Sequence, residues 1–171
     1  MVLPFQFVYL AAALALVLLV MSAVASSQCS AVHEPSLNRT SYPSTFENTR
    51  ENLLFHTNLS DFIRIRDSHS KGHCKHFPYD LYDWSSNGCS YAPSKKLEPC
   101  CHRHDFGYRN YQKAQGCTND DRKKVDKQFC RDMVGVCEKK GWFGSLVFCR
   151  AKAVVYYTGV RLGGKTSFCT K

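Results

Sequence analysis

Ten cysteines follow residue 25 of this 171-residue chain, and none precedes it. They are Cys29, Cys74, Cys89, Cys100, Cys101, Cys117, Cys130, Cys137, Cys149 and Cys169. An even number confined to one part of a chain points to disulfides made in an oxidising compartment, and to loops that are stapled as well as packed. All ten are expected to pair, although spacing alone does not choose the pairing. The residues before them fit that compartment. MVLPFQFVYLAAALALVLLVMSAVA has no charge and one long apolar run, and it ends in Ala23-Val24-Ala25, a small-residue spacing that signal peptidase accepts. A membrane anchor is the alternative, since about 20 apolar residues can span a bilayer. No basic flank follows the run, which favours cleavage. The expectation is a secreted protein that loses residues 1–25. Two N-x-S/T sequons, at Asn38 and Asn58, suit glycosylation in the same compartment.

What remains is one domain's length of chain, enough to bury a core. Residues 26–43 are polar and read as an irregular leader, with the folded domain spanning 44–171. Residues 1–25 are uncharged, so the formal +9 belongs to the chain that follows them. A basic secreted protein is drawn to anionic phospholipid, glycan or nucleic acid, and the same charge also serves solubility.

The domain reads as mainly α. Ser44-Thr45-Phe46-Glu47 has the form of a capping box, opening one long or two shorter helices to about Arg66. Residues 67–99 carry Gly72, Pro78, Gly88, Pro93 and Pro99 and read as a long loop tied by disulfides, a kind of segment that is usually functional. A helix is expected from Glu98 to Ala114, ended by Gly116. Thr118 or Asn119 caps a second, which runs to Lys139-Lys140 and stops at Gly141. A third spans Phe143 to Leu162 and meets Gly163-Gly164.

Two of these helices carry a polar residue where an apolar one belongs. At 3.6 residues per turn, Cys100, Cys101, Tyr108 and Tyr111 all fall within about 60° of His104. His104 is therefore central in a face the helix would bury, while Asp105 points about 100° away. On the next helix Phe129, Cys130, Met133 and Cys137 lie within about 60° of Asp126. Burying an unpaired carboxylate is costly, so it needs a partner. Packing the helices face to face, with Asp126 bonded to His104, explains both residues. The bland alternative is a satisfied core histidine. The chemical reading is a general base, its tautomer set by the carboxylate and its other ring nitrogen free to take a proton from water. Asp105, beside that base, suits calcium, which takes carboxylate and carbonyl oxygens; alternatively it is a solvated helix-edge charge. A nucleophilic serine is disfavoured because no G-x-S-x-G turn occurs.

Asp83-Trp84-Ser85-Ser86, then Cys89 through Cys101, then Arg103-His104-Asp105-Phe106-Gly107-Tyr108-Arg109-Asn110 resemble the secreted phospholipase A2 enzymes of the fungal and bacterial type. The DRKKVDKQF string resembles that family's second catalytic helix. The resemblance is convincing over residues 83–160 and loose over 26–82. It implies a phospholipase A2-like helical domain with two packed catalytic helices, a calcium loop and multiple disulfides. It also implies hydrolysis of the sn-2 ester of glycerophospholipids, with His104 as general base, Asp126 orienting it, and calcium held by Asp105, Asn87 and Gly88. The disulfides it implies are Cys89–Cys101 and Cys137–Cys149. One position departs from the pattern: Asn87 stands where the family normally has Asp, which removes a negative charge from the metal loop.

Two other readings differ in class. A non-catalytic phospholipase-like toxin or receptor-binding protein would keep the scaffold, with Asn87 in its favour and the intact His104 and Asp126 against it. A secreted ribonuclease would suit the charge but explains neither the Asp126 pairing nor HDFGYRN. His69, His73, Cys74 and His76 could suggest zinc, but with Cys74 oxidised they read as loop histidines. The expected partner is an anionic phospholipid surface, with Lys95, Lys96, Lys123, Lys124, Lys139 and Lys140 as candidate docking residues and a solvated helical face as the equal alternative for them; a monomer and no nucleic acid are expected.

Overall fold

The computed structural model describes residues 46–70, 79–90, 94–113, 117–139 and 143–168. The expected signal segment and leader, Asn38, Ser44 and Thr45 of the first cap, Cys29, Cys74, Cys169, His73, His76, Lys140, Gly116 and Gly141 lie outside them.

Every described element is helical. Helix α1 (Phe46–Glu51) passes straight into a π-helical turn at Asn52–His56. Thr57 then turns extended, and its backbone N–H and hydroxyl both donate to the Asn52 carbonyl at 2.8 and 2.9 Å. That closes the first helical segment. Asn58 opens the next: its Oδ1 accepts from the Asp61 N–H at 2.9 Å, an N-cap for α2 (Leu59–Ser70). The shorter-helices option therefore holds, and α2 runs on into what the sequence suggested was loop. A 3-10 turn at Tyr79–Leu81 leads to the irregular residues 83–88.

Three longer helices follow: α3 (Glu98–Lys113), α4 (Asn119–Glu138) and α5 (Phe143–Gly163). Thr118 caps α4 reciprocally, its hydroxyl accepting from Asp121 N–H at 3.1 Å while the Asp121 carboxylate accepts from Thr118 N–H at 2.9 Å. A cap of this kind is worth about 1 kcal/mol. A short α6 (Lys165–Phe168), not expected from the sequence, tucks Phe168 against Tyr108 and Tyr111 with ring centroids 4.8 and 5.6 Å away. No described helix is long and apolar enough to cross a membrane.

Helix α4 packs on both α3 and α5. One core cluster joins Leu53, Leu54, Phe62, Tyr82, Phe106, Tyr108, Tyr111, Val125 and Phe168. A second joins Leu97, Cys100, Cys101, Phe129, Met133 and Ala153. Between α3 and α4 lies a buried ion pair, Arg103 Nε donating to Asp132 Oδ2 at 2.8 Å and a second guanidinium nitrogen to Oδ1. Gln128 and the Thr57 carbonyl complete its hydrogen bonds.

Cys89 is bonded to Cys101, and Cys137 to Cys149. Each bridge closes a loop of 12 residues, which lowers unfolded-state entropy by roughly 3 kcal/mol. Cys117 and Cys130 are disulfide-bonded as well. Cys100 corrects the expectation that every cysteine pairs. It is a buried free thiol on the face of α3 packed against α4.

The approach of α3 to α4 is set by Gly107. A Cβ there would lie 2.6 Å from Val125 Cγ1 and 3.2 Å from Leu54 Cδ2. Val125 is β-branched and buried, so it has little room to yield. Gly107→Ala is expected to destabilise the protein by about 1–3 kcal/mol through overpacking, which urea unfolding would measure. An unchanged midpoint would show that the two helices can separate without loss.

Candidate active site

Packing α3 against α4 brings His104 and Asp126 together. His104 Nε2 and Asp126 Oδ1 are 2.8 Å apart, with Asp126 wholly buried and His104 nearly so. The residues that the wheel placed around them, Cys100, Cys101, Tyr108 and Tyr111 on α3 and Phe129, Cys130, Met133 and Cys137 on α4, are all buried. Phe129 covers the imidazole, with ring centroids 4.5 Å apart. With Nε2–H donating to the carboxylate, Nδ1 is the nitrogen left with a lone pair.

Asp126 has more partners than the sequence suggested. The Tyr108 hydroxyl donates to Oδ1 at 2.8 Å, and Arg161 of α5 donates to Oδ2 at 2.7 Å. Arg122 sits 3.8 Å from the same oxygen and donates to the Val160 and Arg161 carbonyls at 3.2 and 3.1 Å. That contact holds the end of α5, and Arg161 with it, against α4. Burial alone would raise the Asp126 pKa. Hydrogen bonds from His104, Arg161 and Tyr108, with the histidine's charge, outweigh burial and hold it below its ordinary 3.8. Tyr108 is pushed up, by burial first and then by the Asp126 carboxylate, so its hydroxyl remains a donor.

The loop at 83–90 is laid along α3. Asn110, fully buried, accepts from the Asp83 N–H at 2.8 Å and donates to the Asp83 carbonyl at 3.0 Å. Ser86 is the hub: its hydroxyl donates to Asp105 Oδ2 at 2.6 Å, accepts from Gly88 N–H at 3.0 Å, and lies 2.7 Å from His102 Nδ1. The Asn87 N–H adds a second bond to Asp105 Oδ2 at 3.0 Å. Gly88 has φ of 65°, a left-handed turn that favours glycine, and the Cys89–Cys101 bridge anchors the far end. Trp84 packs on Phe106 at 4.8 Å and stacks on His69 at 5.1 Å, so His69 belongs to an aromatic cluster.

His104, Asp105, Asn87 and Gly88 all line one cavity of about 710 Å³, whose other walls include Tyr108, Arg109, Phe129 and the α5 residues Tyr156 and Val160. Both hydrogen bonds to Asp105 fall on Oδ2, and none is made to Oδ1 among the described residues. The oxygens of Asp105, Asn87 and Gly88 are thus hard donors at one end of the cavity and suit calcium in kind. They bring one formal charge. Arg109 donates to Ser85 Oγ at 2.9 Å and reaches Asn87 Oδ1 at 3.5 Å, placing a cation beside the Asn87 amide. Asp83 is no substitute ligand: its Oδ1 accepts from the Ser85 N–H at 3.0 Å, and it lies outside the cavity wall. Asn58 is exposed at the start of α2 and also outside that wall.

Sequence reasoning missed Arg161, Arg122, Ser86 and Asn110. Arg161 left a signal, because residues 143–171 contain no acidic residue with which a half-buried arginine could pair. The others are one-sided: Arg122, Ser86 and Asn110 show no partner until the fold supplies it.

Residues 50–164 match the family model for prokaryotic phospholipase A2. A secretory phospholipase A2 of Beauveria bassiana (strain ARSEF 2860) is 36% identical over 122 residues, which cover 69% of this chain and 58% of that protein. A secretory phospholipase A2 of Arthroderma benhamiae (strain ATCC MYA-4681 / CBS 112371) is 37% identical over 119 residues, covering 65% of this chain and 74% of that one. The chain thus spans little more than half the length of the Beauveria relative.

The lowered pKa of Asp126 predicts how stability depends on pH. The folded state takes up this proton less readily than the unfolded one. The stabilisation is therefore complete above the ordinary value of 3.8 and drains away as pH falls through the lower folded value. Asp126→Asn is expected to cost about 3–5 kcal/mol at pH 7 by leaving Arg161 without its buried partner. As pH falls below that ordinary value, its stability should fall less steeply than that of the parent chain. Denaturant unfolding over a pH series measures both slopes; parallel slopes would contradict the assignment.

Proposed function

The chain belongs to the prokaryotic phospholipase A2 family, and from that premise we propose that it is a secreted, calcium-dependent phospholipase A2, acting as a monomer on the sn-2 ester of glycerophospholipids. The observation that carries the reading is the buried bond between His104 and Asp126 with the imidazole on the cavity wall. Secretion is supported by the names of both relatives and by the disulfides.

The residues divide the work as follows. His104 Nδ1 takes a proton from a water held in the cavity as that water's oxygen attacks the ester carbonyl, and the imidazole returns the proton to the departing alcohol. Asp126 keeps Nε2 protonated and stabilises the imidazolium, while Tyr108 and Arg161 keep the carboxylate from turning away. Phe129, Tyr156 and Val160 give the cavity an apolar wall for an acyl chain. Asp105 and the oxygens of Asn87 and Gly88 would hold calcium, which when bound supplies Lewis-acid polarisation of the carbonyl. Ser86 keeps Asp105 turned toward the loop.

Asn87 favours a second reading, a phospholipase-like protein that binds lipid or a receptor without turnover, because calcium affinity rises with ligand charge. One assay separates the two: release of fatty acid from phosphatidylcholine vesicles by the oxidised protein, titrated with calcium. Calcium-dependent release is expected, with loss in excess chelator. His104→Ala should lower the rate by about a hundredfold or more. Asn87→Asp should shift the calcium midpoint to lower concentration, by roughly tenfold for one added carboxylate. Absence of release at millimolar calcium from both the natural chain and Asn87→Asp would falsify the enzymatic reading. Release by Asn87→Asp alone would establish the second.

A further inference from the structure

A serine hydroxyl has one hydrogen and two lone pairs. Around Ser86 Oγ three described groups lie within hydrogen-bond reach: Asp105 Oδ2 at 2.6 Å, the Gly88 N–H at 3.0 Å and His102 Nδ1 at 2.7 Å. Two of them have no choice of role. An ionised carboxylate only accepts, so the hydroxyl hydrogen goes to Asp105; a backbone N–H only donates, so Gly88 takes one lone pair. The second lone pair faces Nδ1, and that nitrogen must carry a hydrogen. His102 is therefore an Nδ1–H tautomer, the opposite of His104, whose Nε2 meets Asp126. The two histidines stand about 160° apart around α3, one turned to α4 and the other to the loop.

The far side of the His102 ring does not compete. Nε2 is 4.0 Å from Glu98 Oε1, beyond a hydrogen bond. Burial first, and then the Arg66 cation, hold the His102 pKa below its ordinary 6.5 against the pull of Glu98, Asp105 and Asp67. At neutral pH the ring thus carries one proton, and its place matters. With that proton on Nε2, a bond is lost either way. The Ser86 hydroxyl turns to Nδ1 and shows a lone pair to the carboxylate, or two lone pairs meet between Oγ and Nδ1. The Nδ1–H form satisfies every contact. Asp105 then takes both described bonds on Oδ2, from Ser86 and the Asn87 N–H.

We propose that His102 is a positioning residue for the cation site: its Nδ1–H directs the Ser86 hydroxyl onto Asp105 Oδ2 and so fixes the carboxylate with Oδ1 left to ligate. His102 is not part of the cavity wall; it acts through Ser86. That the ion is calcium rests on the phospholipase reading.

Two measurements on the full oxidised chain test the relay. Long-range proton–nitrogen correlation spectra of the calcium-free protein at neutral pH assign the tautomer. The Nδ1–H pattern is expected at His102, and the Nε2–H pattern overturns the proposal. Calcium affinity is read by calorimetry. His102→Leu and Ser86→Ala should each weaken it about tenfold, the worth of one bond to a charged group, and the double variant should lose no more than either alone. His102→Asn, whose amide N–H can replace Nδ1–H, should stay within about threefold of the natural chain. Additive losses, unchanged affinity in His102→Leu, or equal losses in His102→Leu and His102→Asn overturn the proposal, because a packing role alone neither couples to Ser86 nor tells asparagine from leucine. If the natural chain and Asn87→Asp both fail to bind calcium, the calcium-dependent reading falls and the tautomer alone decides the relay.

Discussion

A carboxylate with no access to water must be satisfied from several sides, and Asp126 draws on three helices for it. His104 and Tyr108 approach from α3, Arg161 from α5, and Arg122 from its own helix. Each partner has a consequence beyond its own bond. His104 leaves one nitrogen with a lone pair, Tyr108 packs against Phe168 of α6, and Arg122 grips the Val160 and Arg161 carbonyls in the final turn of α5. The contact that costs most to bury is thus also the one that registers the three long helices, so the geometry of the site and the stability of the fold rest on the same atoms.

The string from His104 to Asn110 gains a residue-by-residue meaning. His104 meets Asp126, Asp105 receives the loop at Ser86 and Asn87, and Phe106 packs under Trp84. Gly107 admits α4, Tyr108 steadies the carboxylate, Arg109 reaches Ser85 and Asn87, and Asn110 locks the backbone of Asp83. Seven consecutive residues point around almost two turns of helix, so they serve both the buried face and the loop-bearing face. Arg109 thereby ties the loop at Ser85 and the Asn87 amide back to α3.

Periodicity was enough to place His104 and Asp126, because each interrupts a run of apolar residues and the interruption is visible without any partner. The cap at Thr118 was legible for a similar reason: its signal is local, four residues long, and chemical. The segment after Arg66 was misread as loop because α2 there carries Asp67, Ser68, His69 and Ser70, which have no apolar period; packing of His69 on Trp84 holds the helix instead. Helix α6 is too short for any periodic signal and exists because Phe168 has a site between Tyr108 and Tyr111. Arg161 could be suspected from the lack of nearby acids, but only the fold names its partner.

Cys100 and Cys101 are neighbours in sequence with opposite fates. Cys101 takes Cys89, while Cys100 is sunk among Leu97, Phe129, Met133 and Ala153, its thiol pushed well up by burial and then by Asp132. In the unfolded chain the two sulfurs are equivalent competitors for Cys89. Exchange with Cys100 would swing the loop about 100° around α3, away from Asp105. Once α3 and α4 have packed, the wrong sulfur can neither ionise readily nor be reached, and the thiolate is the form that attacks a disulfide. Core packing therefore acts as an error filter on oxidation: a chain that folds before it oxidises can make only the bridge that sets the loop beside His104.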